Sequence, residues 1–184
     1  YVSVVSELQG VGVGVGGAEV GAAVPIADVL LALDADGDAA YTALAAHMRR
    51  IASAQVRSVG SWAGNLMLTR THPSFPSDMA TILAAAGATV VAVPLAVGAH
   101  TGVQKKQRLS IPALLASSDP LLLLSLSIPR LPPSALFCSF KTAQRAVFAH
   151  AIVNLGACFT FSSPQHHSSS PSLPAPAPAP APAP

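Results

Sequence analysis

Charge is what this 184-residue chain has least of. Asp, Glu, Lys and Arg together make up 10% of it, against about a quarter in an ordinary soluble domain. Ten bases against eight acids leave a net charge of +2, too small a surplus to argue for a nucleic-acid partner. Acids are scarcer still beyond residue 38, where only Asp78 and Asp119 remain, so a carboxylate pair for acid–base catalysis has few places to form. The two cysteines, Cys138 and Cys158, form no CxxC, and the six histidines have no metal-ligand spacing. A disulfide framework and an iron–sulfur or zinc site are therefore not expected. Aromatics are 5% of the chain.

What is present is apolar. Hydrophobic residues make up 51% and the mean hydropathy is +0.53, which excludes a wholly disordered chain and suits a piece of a larger assembly whose buried faces need few charges. The sequence starts at Tyr1, not Met, with no basic stretch ahead of an apolar one, and reads as a fragment; the expected compartment is the cytoplasm or the peroxisome. Residues 79–104 lack any acid, Lys or Arg, but Gly87, Pro94, Gly98 and Gly102 punctuate them. They read as a helix, a turn and a strand, not as a membrane span.

Two motif-like stretches are discounted. Asp34-Ala35-Asp36-Gly37-Asp38 has the acids of a calcium loop, but Ala39 and Ala45 stand where the loop needs Gly and Glu, leaving a polar turn. Gly12, Gly14 and Gly17 satisfy GxGxxG, yet a strand follows them instead of the helix whose N-terminus would hold a pyrophosphate.

Val11, Val13 and Val15 alternate with glycine and, with Glu19–Val24, predict a β-hairpin. Pro25 opens a helix through Leu33, and Tyr41–Ser53 carries Leu44, Met48 and Ile51 at helical spacing. A short strand is expected at Val56–Val59, followed by a small-residue loop, Gly60–Asn65. Ser77-Asp78 caps a helix closed by Gly87. Strands at Ala88–Val93 and Leu122–Ile128 bracket a polar turn at Gln104–Arg108 and a short helix at Ile111–Ala116. From Ser162 onward serine and then Ala-Pro repeats replace everything else, as in an extended, disordered tail.

Two stretches suggest chemistry. A glycine-containing loop after a strand, Gly60-Ser61-Trp62-Ala63-Gly64-Asn65, lets backbone N–H groups approach a phosphate. Asp78 on a capped helix can accept from sugar hydroxyls, and Lys141 offers a point charge. Equally, Gly60 and Gly64 can form only a tight turn and Lys141 can be a solvated edge residue. The residues by themselves leave both readings open.

The order of short motifs separates them. His47-Met48 with Ile51-Ala52-Ser53 and Gln55-Val56-Arg57-Ser58-Val59 leads into Ser61-x-x-Gly64-Asn65. Phe75-Pro76-Ser77-Asp78, Leu124-Ser125-x-x-Ile128-Pro129, Phe140-Lys141, and Arg145 with Ala149–Asn154 follow. From about Ser6 to Phe161 this resembles the FAD-binding domain of the xanthine dehydrogenase and aldehyde oxidase family of molybdo-flavoenzymes.

The resemblance implies an α+β, two-lobed FAD-binding fold of the vanillyl-alcohol oxidase (PCMH) type, N-terminally truncated and ending in a disordered Pro/Ala tail. It implies a partial FAD-binding domain over residues 1–130, the truncated start of the flavoprotein C-terminal domain over 131–161, and the tail over 162–184. Ser61, Trp62, Ala63, Gly64 and Asn65 match the loop that binds pyrophosphate and ribityl chain. Ser77 and Asp78 are expected near a sugar, Leu123 against the ring, Lys141 near the flavin edge, and Ile51 and Ala52 at apolar adenosine or ring contacts. FAD would relay electrons from iron–sulfur clusters to NAD or dioxygen, as a cofactor whose chemistry the protein orients and tunes. Molybdopterin and the 2Fe-2S clusters would lie in parts of a parent enzyme, homodimeric by the same resemblance, that are absent here.

The departures bear on affinity. Ala63 replaces the first glycine of the usual pair, Phe148 stands where many relatives have Asn, and the acidic cluster often found after the Lys is missing. The family's other phosphate loop lies outside this chain, so the isolated chain is expected to bind FAD at micromolar strength or worse. The other reading is an inactive piece with at most a structural role; the carbon monoxide dehydrogenase medium subunit is a further family of the same fold.

Overall fold

The structure, a computed structural model, describes residues 5–95, 105–146 and 148–161; the tail expected at 162–184 lies outside them. Five antiparallel strands form the main sheet: β1 (Val11–Gly14), β2 (Gly17–Gly21), β3 (Thr89–Pro94), β4 (Gln107–Ser110) and β5 (Leu121–Pro129), in the order β1-β2-β5-β3-β4. Six helices pack with it: α1 (Ile26–Asp36), α2 (Ala39–Met48), α3 (Ala54–Val59), α4 (Trp62–Thr71), α5 (Asp78–Ala85) and α6 (Ile111–Ala116). A separate two-stranded ribbon, β6 (Ala135–Ala143) and β7 (Ala151–Thr160), completes the described chain.

The hairpin forms where the glycine–valine alternation predicts it, with Val11 opposite Val20 and Gly14 opposite Gly17. Gly17 has a φ of 134°, and a Cβ there would lie 2.4 Å from the Ile128 carbonyl oxygen, so only glycine can turn this corner against β5. β5 is the spine of the sheet, pairing with β2 on one side and β3 on the other. Its side chains reveal an irregularity. Leu121 and Leu123 are buried, then Leu126 and Ile128; the parity changes because the pairing with β3 shifts between Val91 and Ala92. An extra residue in one strand re-aims every later side chain, and here it keeps both halves of β5 facing the helices.

Five of the six helices start on side-chain caps. Asp38, Ser53, Ser61, Ser77 and Ser110 each accept a backbone N–H in the first turn of the helix that follows, satisfying donors that would otherwise be orphaned. Gly37, with a φ of 78°, closes α1. The acids of the discounted calcium-like stretch are spent on bases: Asp34 pairs with Arg49, and Asp36 and Asp38 with Arg130, whose guanidinium also lies 5.3 Å from the Tyr41 ring centroid.

Several expectations are corrected. Val56–Val59 is not a strand but the end of helix α3, nucleated by the Ser53 hydroxyl accepting from the Val56 N–H at 3.1 Å. The loop expected at Gly60–Asn65 is instead a cap and the first turn of α4. The second helix stops at Met48, short of Ser53, and Gln107 and Arg108 of the expected polar turn belong to β4. Pro25 is the N-cap of α1 and not its first-turn residue.

The ribbon lies across α2 and α5. Phe137 and Lys141 are buried on its inner face, and Gly156 allows close contact: a Cβ there would sit 2.8 Å from the Ala85 Cβ. Its outer face presents Leu136, Phe140, Val153, Leu155 and Phe159, each about half exposed. Among the described residues no helix is long and apolar enough to cross a membrane.

Candidate cofactor site

The segment between α2 and α5 creates two clefts. The first, about 380 Å³, is lined by Ser61, Ala63, Gly64 and Met67 of α4 and its cap, by Ala22 and Ala23, and by Leu121–Leu123 of β5. The second, about 370 Å³, is lined by Ile51, Ala52, Asn65, Ser77, Asp78 and Lys141, and by Phe75, Pro76, Phe148 and His150. Gly64 and Asn65, neighbours in the first turn of α4, face one cleft each. Ten of the eleven residues singled out from sequence thus line one cleft or the other. The eleventh, Trp62, is fully buried, its indole N–H donating to the Gly21 carbonyl at 2.8 Å; its side chain is a core anchor between α4 and β2.

The first cleft is nearly all apolar side chain and small residue. The Ser61 hydroxyl is already engaged, accepting from the Gly64 N–H at 3.1 Å, and the Ser61 carbonyl accepts from the Asn65 N–H. Side-chain capping has thus used amides that a free glycine loop would offer to phosphate. A Cβ on Gly64 would meet only the Ser61 Oγ, at 3.4 Å, and would otherwise fill cleft space.

Polar groups gather in the second cleft. The Ser77 hydroxyl caps α5 through the Ala80 N–H and donates to the Asn65 Oδ1 at 2.7 Å. That fixes the Asn65 amide with its Nδ2 free of a protein partner among the described residues. Behind it, Asp78 and Lys141 are 7% and 5% exposed. The Lys141 ammonium bonds the Asp78 Oδ2 and, at 3.0 Å, the Arg50 carbonyl. Asn154 donates to the other carboxylate oxygen at 2.9 Å. Lys141 is therefore neither a solvated edge residue nor a free charge. Asp78 likewise reaches the cleft with both oxygens already accepting.

His47, not among the site residues expected from sequence, lies next to this cluster. It is 3% exposed with no partner for Nε2 among the described residues. Burial holds its pKa below the ordinary histidine value; nearby Asp78 opposes that shift, while Arg50 and Lys141 reinforce it. The rim of the second cleft carries the two left-handed non-glycine residues among those described, Ala52 (φ 49°) and Phe148 (φ 56°). His150 on the same rim meets Phe75 edge-to-face at 5.4 Å. Phe148, Ala149 and His150 had no local signal as lining residues, since the approach of the β6–β7 connection to α4 is a tertiary event.

A flat ring system needs an apolar slot with close backbone, and a diphosphate needs neutral donors near a helix start. The clefts supply apolar slots, and the space beside Gly64 and the unpaired Asn65 Nδ2 lie at a helix start, where the Gly64 and Asn65 amides are already engaged by Ser61. Residues 1–117 match the family described as the FAD binding domain in molybdopterin dehydrogenase. The chain belongs to this family. FAD is accordingly the cofactor of this segment.

This FAD-binding domain is 32% identical over 161 residues to aldehyde oxidase 4 of Arabidopsis thaliana, covering 84% of the chain and 12% of that protein. With an indole-3-acetaldehyde oxidase of the same plant it shares 39% over 155 residues, 78% of the chain and 11% of that protein. It therefore spans about an eighth or less of those relatives. Its fold is similar to CO dehydrogenase from Oligotropha carboxidovorans, with a TM-score of 0.65 at 16% identity over 85% of this chain and 52% of that one. Quinoline 2-oxidoreductase from Pseudomonas putida 86 aligns with a TM-score of 0.64 at 20% identity, over 86% and 52%.

Two outcomes are expected. Phe148→Asn puts a residue tolerant of the left-handed region where phenylalanine is strained, so it should raise stability by about 0.5–1 kcal/mol in urea denaturation. For His47, the unfolded chain binds a proton near pH 6.5 that the folded chain resists. Stability should be full above that pH and fall as pH drops below it, and His47→Met should flatten that part of the urea-midpoint profile.

Proposed function

We propose that the chain is the flavin-holding part of a molybdenum hydroxylase resembling aldehyde oxidase, with FAD lying across the two clefts. The reading is supported by one observation above all: residues chosen from sequence motifs up to 90 positions apart line two clefts that adjoin at the first turn of α4. Ala63, Gly64 and the Asn65 amide would hold the pyrophosphate, with Ser61 and Ser77 orienting the groups that do so. Leu123 would pack against the ring system, and Ile51 and Ala52 would form the apolar wall of the second cleft. Asp78 and Lys141 would set the field of that cleft from behind it. FAD supplies the two-electron and one-electron redox chemistry. In the parent, electrons would arrive from iron–sulfur clusters and leave to NAD or dioxygen, in a homodimer whose molybdenum site lies in other domains.

We assign residues 1–130 to the FAD-binding domain, in a two-lobed vanillyl-alcohol oxidase type of fold, and 131–161 to the start of a C-terminal domain. The half-exposed apolar outer face of the ribbon supports that division, since such a face suits a further layer. The cytoplasm is the compartment we propose. Cys138 and Cys158 are both free, and Cys158 stands opposite Phe137, not Cys138, so the two thiols point to opposite faces of the ribbon.

The second reading, a piece that binds nothing, draws on the Ser61 hydroxyl and both Asp78 oxygens being engaged within the protein. Titrating the chain against FAD while following flavin fluorescence decides between them. Saturable quenching with a midpoint of roughly 1–100 µM is expected. Asn65→Ala should weaken it about tenfold, the effect of one lost hydrogen bond to a charged group. An unsaturable, linear response would leave the non-binding piece as the answer.

A further inference from the structure

The turn that joins α2 to α3 exposes four successive carbonyl oxygens, from Arg49 to Ala52, just beyond a helix C-terminus where partial negative charge accumulates. Each is met by a side-chain cation. Arg57 Nη1 lies 2.9 Å from the Arg49 carbonyl oxygen, 2.8 Å from that of Ile51 and 3.3 Å from that of Ala52. The Lys141 ammonium takes the carbonyl between them, that of Arg50. Arg57 is half-buried and does not line either cleft. Ala52, by contrast, lines the second cleft and holds a φ of 49°, a conformation that an alanine adopts only when its surroundings impose it.

We infer that Arg57 is a positioning residue for the cofactor site: its guanidinium gathers the Arg49, Ile51 and Ala52 carbonyls and so imposes the left-handed bend that makes Ile51 and Ala52 a wall of the second cleft. Two N–H bonds of one Nη1 shared among three converging carbonyls hold them by charge as well as by hydrogen bonding, on a rigid planar head that a lysine ammonium on a flexible stem does not supply. The inference rests on the reading that FAD occupies this cleft, but the bend itself exists without FAD.

The test uses the full chain in four forms: unaltered, Arg57→Ala, Arg57→Lys, and Arg57→Ala combined with Ala52→Gly. Amide hydrogen exchange without FAD is read at residues 49–53 and, as an internal reference, at Val90 and Leu126 in the sheet. Arg57→Ala should speed exchange in the turn about tenfold or more with the sheet amides unchanged. FAD affinity by fluorescence should fall about tenfold, and Arg57→Lys should fall between. Glycine enters the left-handed region freely, so adding Ala52→Gly should recover most of the lost affinity. Unchanged exchange in the turn of Arg57→Ala would overturn the inference, as would a loss of affinity that Ala52→Gly leaves untouched. If Arg57→Ala does not fold, Arg57→Lys carries the same comparison, and wild-type exchange rates in that variant would overturn the inference equally. Failure of the unaltered chain to bind FAD would sink the cofactor reading, while the exchange data would still decide the role of Arg57.

Discussion

A lysine ammonium taken out of water must find a carboxylate, and in this protein that requirement joins the two-stranded ribbon to helix α5. Lys141 belongs to the ribbon and Asp78 to the first turn of α5, and each is more than nine-tenths buried. Around the pair, Asn154 from β7 and the Arg50 carbonyl beyond α2 supply the remaining hydrogen bonds. Arg50 returns the contact by donating to the Lys141 carbonyl at 2.7 Å. Helix, turn and ribbon therefore meet at one charge, which holds its geometry because every displacement leaves a buried ionised group unsatisfied.

The second cleft is a consequence of that junction. Its walls come from the α2–α3 turn, the start of α4, the start of α5, and the ribbon with its connecting segment, elements that the ion pair ties together along with the Ser77–Asn65 bond and the packing of Gly156 on Ala85. The first cleft arises differently, from small residues at Ala22, Ala23, Ala63 and Gly64 against the leucines of β5. Both clefts are mostly apolar, the second with Asn65, Ser77, Asp78 and Lys141 added to its lining, and they adjoin at a helix start.

Much of this was legible in the sequence because the signals were local. Ser77-Asp78 announced a capped helix, and Gly87, with a φ of 69°, closes it. The glycine–valine alternation announced a hairpin. Val56–Val59, with a valine at each end, fits a strand as well as a helical turn, and the cap at Ser53 selects the helix. The small residues of Gly60–Asn65 suggest a loop and mask a second cap, at Ser61. The motif residues were found, but their engagement was not. Nothing in the sequence around Lys141 says that its partner is 63 positions away, nor that both Asp78 oxygens accept from the protein. The ribbon strands went unread because an apolar outer face obscures the alternation that marks a half-buried strand.

The dependence of the junction on one ion pair is tested most directly by a double-mutant cycle in urea on Asp78→Asn, Lys141→Met and the combined variant. Each single change strands a buried polar or charged partner and should cost about 3 kcal/mol or more, whereas the double variant removes both and should cost much less than the sum, giving a coupling of at least about 2 kcal/mol. Additivity of the two changes to within about 0.5 kcal/mol would contradict the account.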